Sequence, residues 1–469
     1  MPEASQAPTS LARSLGPLDG AAIVVSNVIG VGIFTVPGIV AQMVAAPVAI
    51  LSVWLAGGVL AFAGASAYSE LAAMRPRAGG EYVYLRAGFG PLAAFLTGWT
   101  SFVAGFSGAI AAGAVGFAEY LGRFVPAAAS SHPWIRVPLG FFALEISARA
   151  LTALAVIGAI SAVHICGLGP GRILQNTLAG VKVLALAGLI GLGFAVGTGS
   201  FSHFTTAPAG PFSGSTISGW LLALVPVMFT YSGWNAAAYV AEEVREPQRN
   251  IPRALALGTG VVVALYLLLN ALYLYALPVG RLAGVVRTAD AAAEALFGAW
   301  GAALLTPVVG FGLAGSISAM VLAGPRVYFA MARDGLFLGA ASRVHPRFRT
   351  PAVAIVAQAA WSGLLVLTGT FEQLLTYTGF AVVLFSGLAV LALFFLRRRD
   401  AALQSSIDKS KIDNSPFRAF GYPYLPALFV FASAAMVINA IYRDPRPSLA
   451  GLALIATGIP VYFLARRRT

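Results

Sequence analysis

Apolar runs long enough to cross the roughly 30 Å of hydrocarbon in a bilayer recur along almost the whole chain, from Leu18 to Phe463. With no water at that depth, a spanning segment must satisfy its own backbone as a helix or join a closed barrel. The alternation of apolar and polar residues over segments of about ten residues that a barrel strand requires is missing here. The fold class expected is therefore an all-α polytopic membrane protein. A composition of 58% hydrophobic and 10% charged residues points the same way, since a soluble globular chain carries far more charge.

Polar or Pro/Gly-rich turns divide the runs into twelve expected spans: 18–42, 47–74, 87–120, 149–169, 173–197, 216–241, 252–277, 299–333, 351–369, 371–396, 422–441 and 448–465. The third and eighth are long enough to require tilt. Of the 30 Lys and Arg residues, 21 fall on the side of the N-terminus, so the positive-inside rule places both termini in the cytoplasm. The same rule explains the net charge of +13, which in a soluble protein would suggest nucleic acid. The polar stretch 1–17 lacks an apolar cleavable segment, and the first span is expected to act as its own targeting signal. Asp400 to Ser415 reads as a flexible cytoplasmic linker, within an inter-span segment 397–421.

Two spans carry a helix-breaking patch at mid-depth. The first reads Asn27-Val28-Ile29-Gly30-Val31-Gly32-Ile33-Phe34 and the second Phe229-Thr230-Tyr231-Ser232-Gly233-Trp234-Asn235. Irregular backbone survives in a membrane only where it lines a cavity or meets a ligand. Span 1 starts inside and span 6 starts outside, five spans on, which fits an inverted repeat of spans 1–5 (18–197) and 6–10 (216–396), with spans 11 and 12 (422–465) added. Paired breaks of this kind mark the substrate site of a secondary transporter.

Gly30 and Gly32 remove side chains and admit unusual backbone angles, so amide donors at the start of the second half-helix are free for a carboxylate. Their alternative use is a small-residue face for close helix packing. At the second break Ser232 and Gly233 give flexibility, Phe229 and Trp234 are bulky covers, and Asn235 is a deep amide whose neighbours would accept from an ammonium. A zwitterion suits the pair. Lys182 lies about nine residues into span 5, roughly 14 Å deep at 1.5 Å per residue. A charge there is either functional or a long stem snorkelling to cytoplasmic water.

The chain resembles the amino acid–polyamine–organocation transporters, and among them prokaryotic relatives of the L-type amino acid transporters. The resemblance rests on Ile29-Gly-Val-Gly-Ile-Phe34, Tyr68-Ser-Glu-Leu71 with Ala78-Gly-Gly-Glu-Tyr-Val-Tyr84, Val181-Lys-Val-Leu-Ala185, Phe229-Thr-Tyr-Ser-Gly-Trp-Asn235, Glu242-Glu-Val-Arg-Glu-Pro-Gln-Arg-Asn-Ile-Pro252, and Gly315-Ser316 through Arg326 to Arg333-Asp-Gly335. It implies the five-plus-five inverted-repeat fold with broken helices 1 and 6, and alternating access. Residue by residue it implies substrate contacts at Asn27, Gly30, Val31, Gly32, Ile33, Phe229, Ser232, Gly233 and Asn235. Phe229 falls at an outer aromatic gate with Trp234 beside it, and Glu242 and Glu243 fall at an inner gate, where Arg245, Arg249 or a basic loop residue would neutralise them. Lys182 stands where sodium-coupled relatives hold a cation, with Ser316 and Ser318 expected to share its hydrogen bonds. Its ammonium would replace sodium, or load and release a proton. Val31, where many L-type members have Ser, and Ser232, where larger-substrate members have Gly, depart from the pattern.

The function expected is therefore secondary transport of neutral L-amino acids across the cytoplasmic (inner) membrane, sodium-independent, by exchange or proton symport. Alternatives are a cationic amino acid or polyamine carrier, which would want carboxylates facing the pocket, or a non-transporting sensor. No phosphate-cradling loop is present, and the four histidines (132, 164, 203 and 345) lack metal-ligand spacing, so no catalytic residue, metal or cofactor is expected. The partners expected are the amino acid and the lipid bilayer. Cys166 is the only cysteine, and none lies between Gly122 and Ala148, where animal L-type carriers bind a heavy subunit through a disulfide; that partner is not expected.

Overall fold

A computed structural model describes residues 11–138, 140, 143–205, 214–404, 417–443 and 445–466. The first span is a broken pair, α1 (Pro17–Val28) and α2 (Gly32–Met43), bent by 50° at residues 29–31. Pro17 opens α1, where its missing N–H costs nothing, and Asp19 in the first turn accepts from the Gly16 amide at 2.7 Å. Then come α3 (Pro47–Met74), α4 (Glu81–Phe89), α5 (Pro91–Thr100) and α6 (Phe106–Leu121), with a π-helical turn at Ser101–Gly105 joining the last two.

Beyond them lie α7 (Ala148–Ile165), α8 (Leu168–Val196), α9 (Gly214–Tyr231) and the four-residue α10 (Ala236–Tyr239). The series continues with α11 (Pro247–Ala276), α12 (Val279–Leu282), α13 (Thr288–Phe297), α14 (Ala299–Arg333), α15 (Ala352–Thr368) and α16 (Phe371–Gln404). It ends with α17 (Tyr424–Arg443), α18 (Pro445–Ala456) and α19 (Gly458–Arg466).

Among the described residues nine helices have the length and apolarity to cross a membrane, and the α1–α2 pair forms a further, broken span. Ile217–Tyr231 and Ala352–Thr368 are shorter apolar helices. The all-α expectation needs one correction. An antiparallel hairpin, β1 (Ile135–Pro138) with β2 (Ala143–Ile146), stands outside the apolar runs between α6 and α7. The span expected to begin at 87 is preceded by the separate helix α4, which ends at Gly90 with φ 93° before Pro91 starts α5. The inter-span segment 397–421 is partly helical, because α16 runs on to Gln404; residues 405–416 of the expected linker, like 1–10 of the N-terminal tail, lie outside the described residues.

The helices gather in two groups. In the first, α1, α3, α9 and α11 approach closely through glycines. A Cβ on Gly57 would lie 2.6 Å from Val227, one on Gly64 2.6 Å from the Trp234 ring, and one on Gly258 2.6 Å from Val24. Small residues let helix backbones come together where no hydrophobic effect drives them. The second group, α6, α7, α14 and α15, has a core of its own around Ile110, Ala153, Ile157, Ile317, Ile355 and Leu365. The broken segments lie between the groups.

Candidate functional site

The two breaks cross antiparallel. Leu15, just before α1, pairs with Val244, just after span 6, so both ends lie at one face of the molecule. Deeper in, a Cβ on Gly32 would stand 2.9 Å from Thr230, and one on Gly233 2.6 Å from the Asn27 amide. Gly233 has φ 102°, a conformation that side chains disfavour, so at the second break glycine supplies both freedom and room. Gly30 and Gly32 have no positive φ. The unusual angles expected there are not needed: Gly32 is small for Thr230, and Gly30 opens on space with only Ser316 Oγ at 3.8 Å.

Each half-helix end can be followed through its hydrogen bonds. Lys182 Nζ on α8 donates to Ile29 O at 2.6 Å, Ser26 O at 3.0 Å and Ser316 Oγ at 3.2 Å. Ser316 Oγ lies 2.9 Å from both of those carbonyls. The ammonium thus sits at the C-terminal, negative end of α1. Lys182 is 1% exposed, which removes the snorkelling alternative. Tyr266 OH on α11 reaches Val28 O at 2.9 Å and Thr230 O at 3.3 Å, touching both breaks with one hydroxyl. On the other side of the first break, among the described residues, no backbone acceptor engages the amides of Val31, Gly32 or Ile33. These are the positive-end donors of α2.

Asn27, Gly30, Val31, Gly32, Phe229, Ser232, Gly233, Asn235 and Ser316 all line one cavity of about 270 Å³. Val31 is 45% and Phe229 44% exposed, marking its open mouth. Asn27 Oδ1 is buried without a hydrogen-bond partner. The π-helical turn contributes Ser101 and Gly105 to the wall, its loosened carbonyls partly taken up by Tyr328 OH on Ser101 O at 3.1 Å and Trp361 Nε1 on Val103 O at 2.8 Å.

Four expected placements differ. Ile33 is fully buried outside the cavity, with its carbonyl toward Tyr273 OH at 3.4 Å. Trp234 turns away from the cavity and is held between Tyr68, 4.8 Å between ring centres, and Phe429 at 5.4 Å. Ser318 does not join Lys182; two residues along a helix from Ser316 it faces another side, and its hydroxyl meets His164 Nε2 at 2.9 Å. Glu242 and Glu243 pair not with Arg245 or Arg249 but with α14. Arg326 meets Glu243 through two bonds of 2.9 Å, both side chains buried, and Arg333 meets Glu242 at 2.9 Å.

Glu81 is the site residue that motif reading passed over. It opens α4 and lines the cavity, and its Oε1 accepts from Tyr68 OH at 2.7 Å, Asn235 Nδ2 at 2.7 Å and Ser386 Oγ at 3.2 Å. Asn235 therefore spends its amide on a carboxylate, with a second contact to Tyr239 OH at 3.2 Å. Burial raises the Glu81 carboxyl above the ordinary carboxylate range, and the bonds from Tyr68, Ser386, Asn235 and Tyr239 pull against that rise. Its one signal in the sequence was an acidic residue directly after Gly79-Gly80, where a helix N-terminus favours a carboxylate. Below it, Ala78 N donates to Glu242 at 3.2 Å, Gly79 N to Tyr239 O at 3.0 Å and Tyr82 OH to Asp334 at 2.7 Å, closing the cavity on the side of the chain termini.

Known proteins resemble the chain over nearly its whole length. The family described as "Amino acid permease" matches residues 15–464. The human b(0,+)-type amino acid transporter 1 is 29% identical over 461 residues, covering 97% of this chain and 88% of the relative. The human cystine/glutamate transporter is 28% identical over 466 residues, covering 98% and 86%. The serine/threonine exchanger SteT of Bacillus subtilis (strain 168) is 27% identical over 461 residues, covering 98% of each chain.

Proposed function

The chain belongs to the amino acid permease family, a membrane transporter and not an enzyme, and from that premise we propose that it carries amino acids through the cytoplasmic membrane by sodium-independent alternating access, as an exchanger or proton symporter. We read twelve spans in an inverted five-plus-five repeat, both termini cytoplasmic. The side-by-side placement of the start of span 1 and the end of span 6 supports that reading.

The observation that carries the mechanism is Lys182 against the end of α1. A fixed ammonium on Ile29 O and Ser26 O does the electrostatic work that a bound cation would do, so the bend at residues 29–31 holds without sodium. The substrate carboxylate is received by the amides of Val31 and Gly32 at the positive end of α2. Its ammonium is received by Asn27 Oδ1 and the carbonyls at the second break. Phe229 covers the mouth, and the pairs Glu243–Arg326 and Glu242–Arg333 keep the opposite side shut until the helix groups rock. Preference for neutral over cationic amino acids was expected because no carboxylate was placed in the pocket. Glu81 removes that ground.

The test is counterflow. Purified protein in liposomes loaded with unlabelled amino acids takes up labelled alanine, serine or leucine with no sodium on either side. Uptake that needs sodium overturns the role of Lys182, and no trans-stimulated or pH-driven uptake of any amino acid overturns transport itself.

A further inference from the structure

Four acidic side chains are buried among the described residues: Asp19, Glu70, Glu81 and Glu243. Three have a guanidinium. Arg397 forks onto Glu70 with two contacts of 2.6 Å, Arg326 onto Glu243 with two of 2.9 Å, and Arg172 stands 3.8 Å from Asp19. Among the described residues Glu81 has no Lys, Arg or His within ion-pair reach. Among the described residues it is also the only charged one lining the cavity. An ionised carboxylate in a dry site is costly unless a cation meets it. Burial opposes that charge here; among the described residues no cation of the protein offsets it, and the open side is the substrate's.

The hydrogen bonds sharpen the point. Tyr68, Asn235 and Ser386 all converge on Oε1, and each presents a donor, which suits the charged form of the acid. Those three bonds all fall on Oε1, and a carboxylate oxygen accepts an N–H from an ammonium or guanidinium at roughly twice the strength of a neutral bond. The two groups of the substrate backbone are provided for at the helix breaks, so the partner left for Glu81 is a charge on the side chain.

We propose that Glu81 is a specificity-determining carboxylate at the closed end of the cavity, receiving the side-chain ammonium or guanidinium of a dibasic amino acid. This rests on the transport reading above and adds a substrate class to it. Neutral side chains leave the carboxylate to its internal donors, so discrimination arises from the added charge-assisted bond.

Competition in proteoliposomes loaded with alanine tests it. Lysine, ornithine and arginine are expected to inhibit uptake of labelled alanine by the wild type at concentrations no higher than leucine does. In Glu81→Gln, purified as a monodisperse protein, the half-inhibition ratio of lysine to leucine is expected to rise about tenfold, the loss of one charge-assisted bond. Glu81→Asp, which keeps the charge, is expected to fall between. Dibasic amino acids that fail to compete with the wild type overturn the proposal even if the variant does not fold, and so does an unchanged ratio in Glu81→Gln. Absence of uptake for every amino acid overturns the transport reading instead.

Discussion

Lys182 and the three break glycines separate charge from space. Lys182→Ala removes the ammonium from Ile29 O and Ser26 O while leaving Ser316 on both, so the protein is expected to insert and purify normally but to lose at least about tenfold in counterflow rate, the scale of one charge-assisted bond. Wild-type rates in that variant would make the lysine structural. Gly233→Ala forces a side chain into φ 102° and against Asn27, at a cost of about 1–3 kcal/mol. Gly30→Ala meets only Ser316 Oγ at 3.8 Å. Thermal unfolding in detergent is expected to fall clearly for the first and little for the second; equal losses would contradict this division of roles. Both breaks were visible in the primary structure because Gly-x-Gly and Ser-Gly interrupt otherwise apolar runs. Which glycine bends and which makes room was not visible, since that depends on Thr230 and Asn27 arriving from a segment some two hundred residues away. Glu81 was missed for a related reason: with the third span taken to begin at 87, its position fell in a loop, and only the fold of α4 turns it toward the cavity.

Helices long enough to cross a bilayer announce themselves by composition, which is why α3 was expected at 47–74 and is found at Pro47–Met74. What composition does not convey is how one helix holds another. Tyr266 on α11 touches Val28 O and Thr230 O, and it packs on Trp54 and Tyr231 at 5.7 and 5.0 Å between ring centres. Tyr266→Phe keeps that packing and removes a hydroxyl that reaches both breaks. It is expected to slow maximal exchange more than it weakens apparent affinity, because the half-helices would no longer shift together; a change confined to affinity would place the effect in binding. At the closed end, Glu243→Gln leaves Arg326 buried with no opposite charge. Breaking such a pair costs about 3–5 kcal/mol, so expression and melting temperature are expected to drop, and the double change Glu243→Gln with Arg326→Met is expected to recover much of the loss. That the partners are on α14, and not in the basic stretch beside the glutamates, follows from the bundle's arrangement. Local sequence favoured the neighbours.

Two helix groups, one packed through glycines and one around the core of Ile110, Ala153 and Ile317, meet across the cavity, and α14 has residues in both hydrophobic clusters, so tilting one group against the other requires contacts to be exchanged. The contacts that must break lie on the side of the chain termini: Glu243 to Arg326, Glu242 to Arg333, and Asn235 to Glu81. Those that persist are the glycine contacts within the first group and the aliphatic core of the second. The structure is thus closed toward the termini and open past Val31 and Phe229. If the basic loops are cytoplasmic, that opening faces outward. The claim can be tested on intact cells, because Cys166 is the chain's only cysteine and is exposed at the turn between α7 and α8. In a Cys166→Ser background, Val31→Cys is expected to react with a membrane-impermeant maleimide added outside, and saturating alanine is expected to slow the reaction by filling the cavity. Glu243→Gln, by loosening the far side, is expected to shift the balance toward the inward-open form and reduce outside labelling. Reaction of Val31→Cys only in inside-out vesicles would reverse the orientation, and labelling indifferent to every amino acid would separate this cavity from the path of transport.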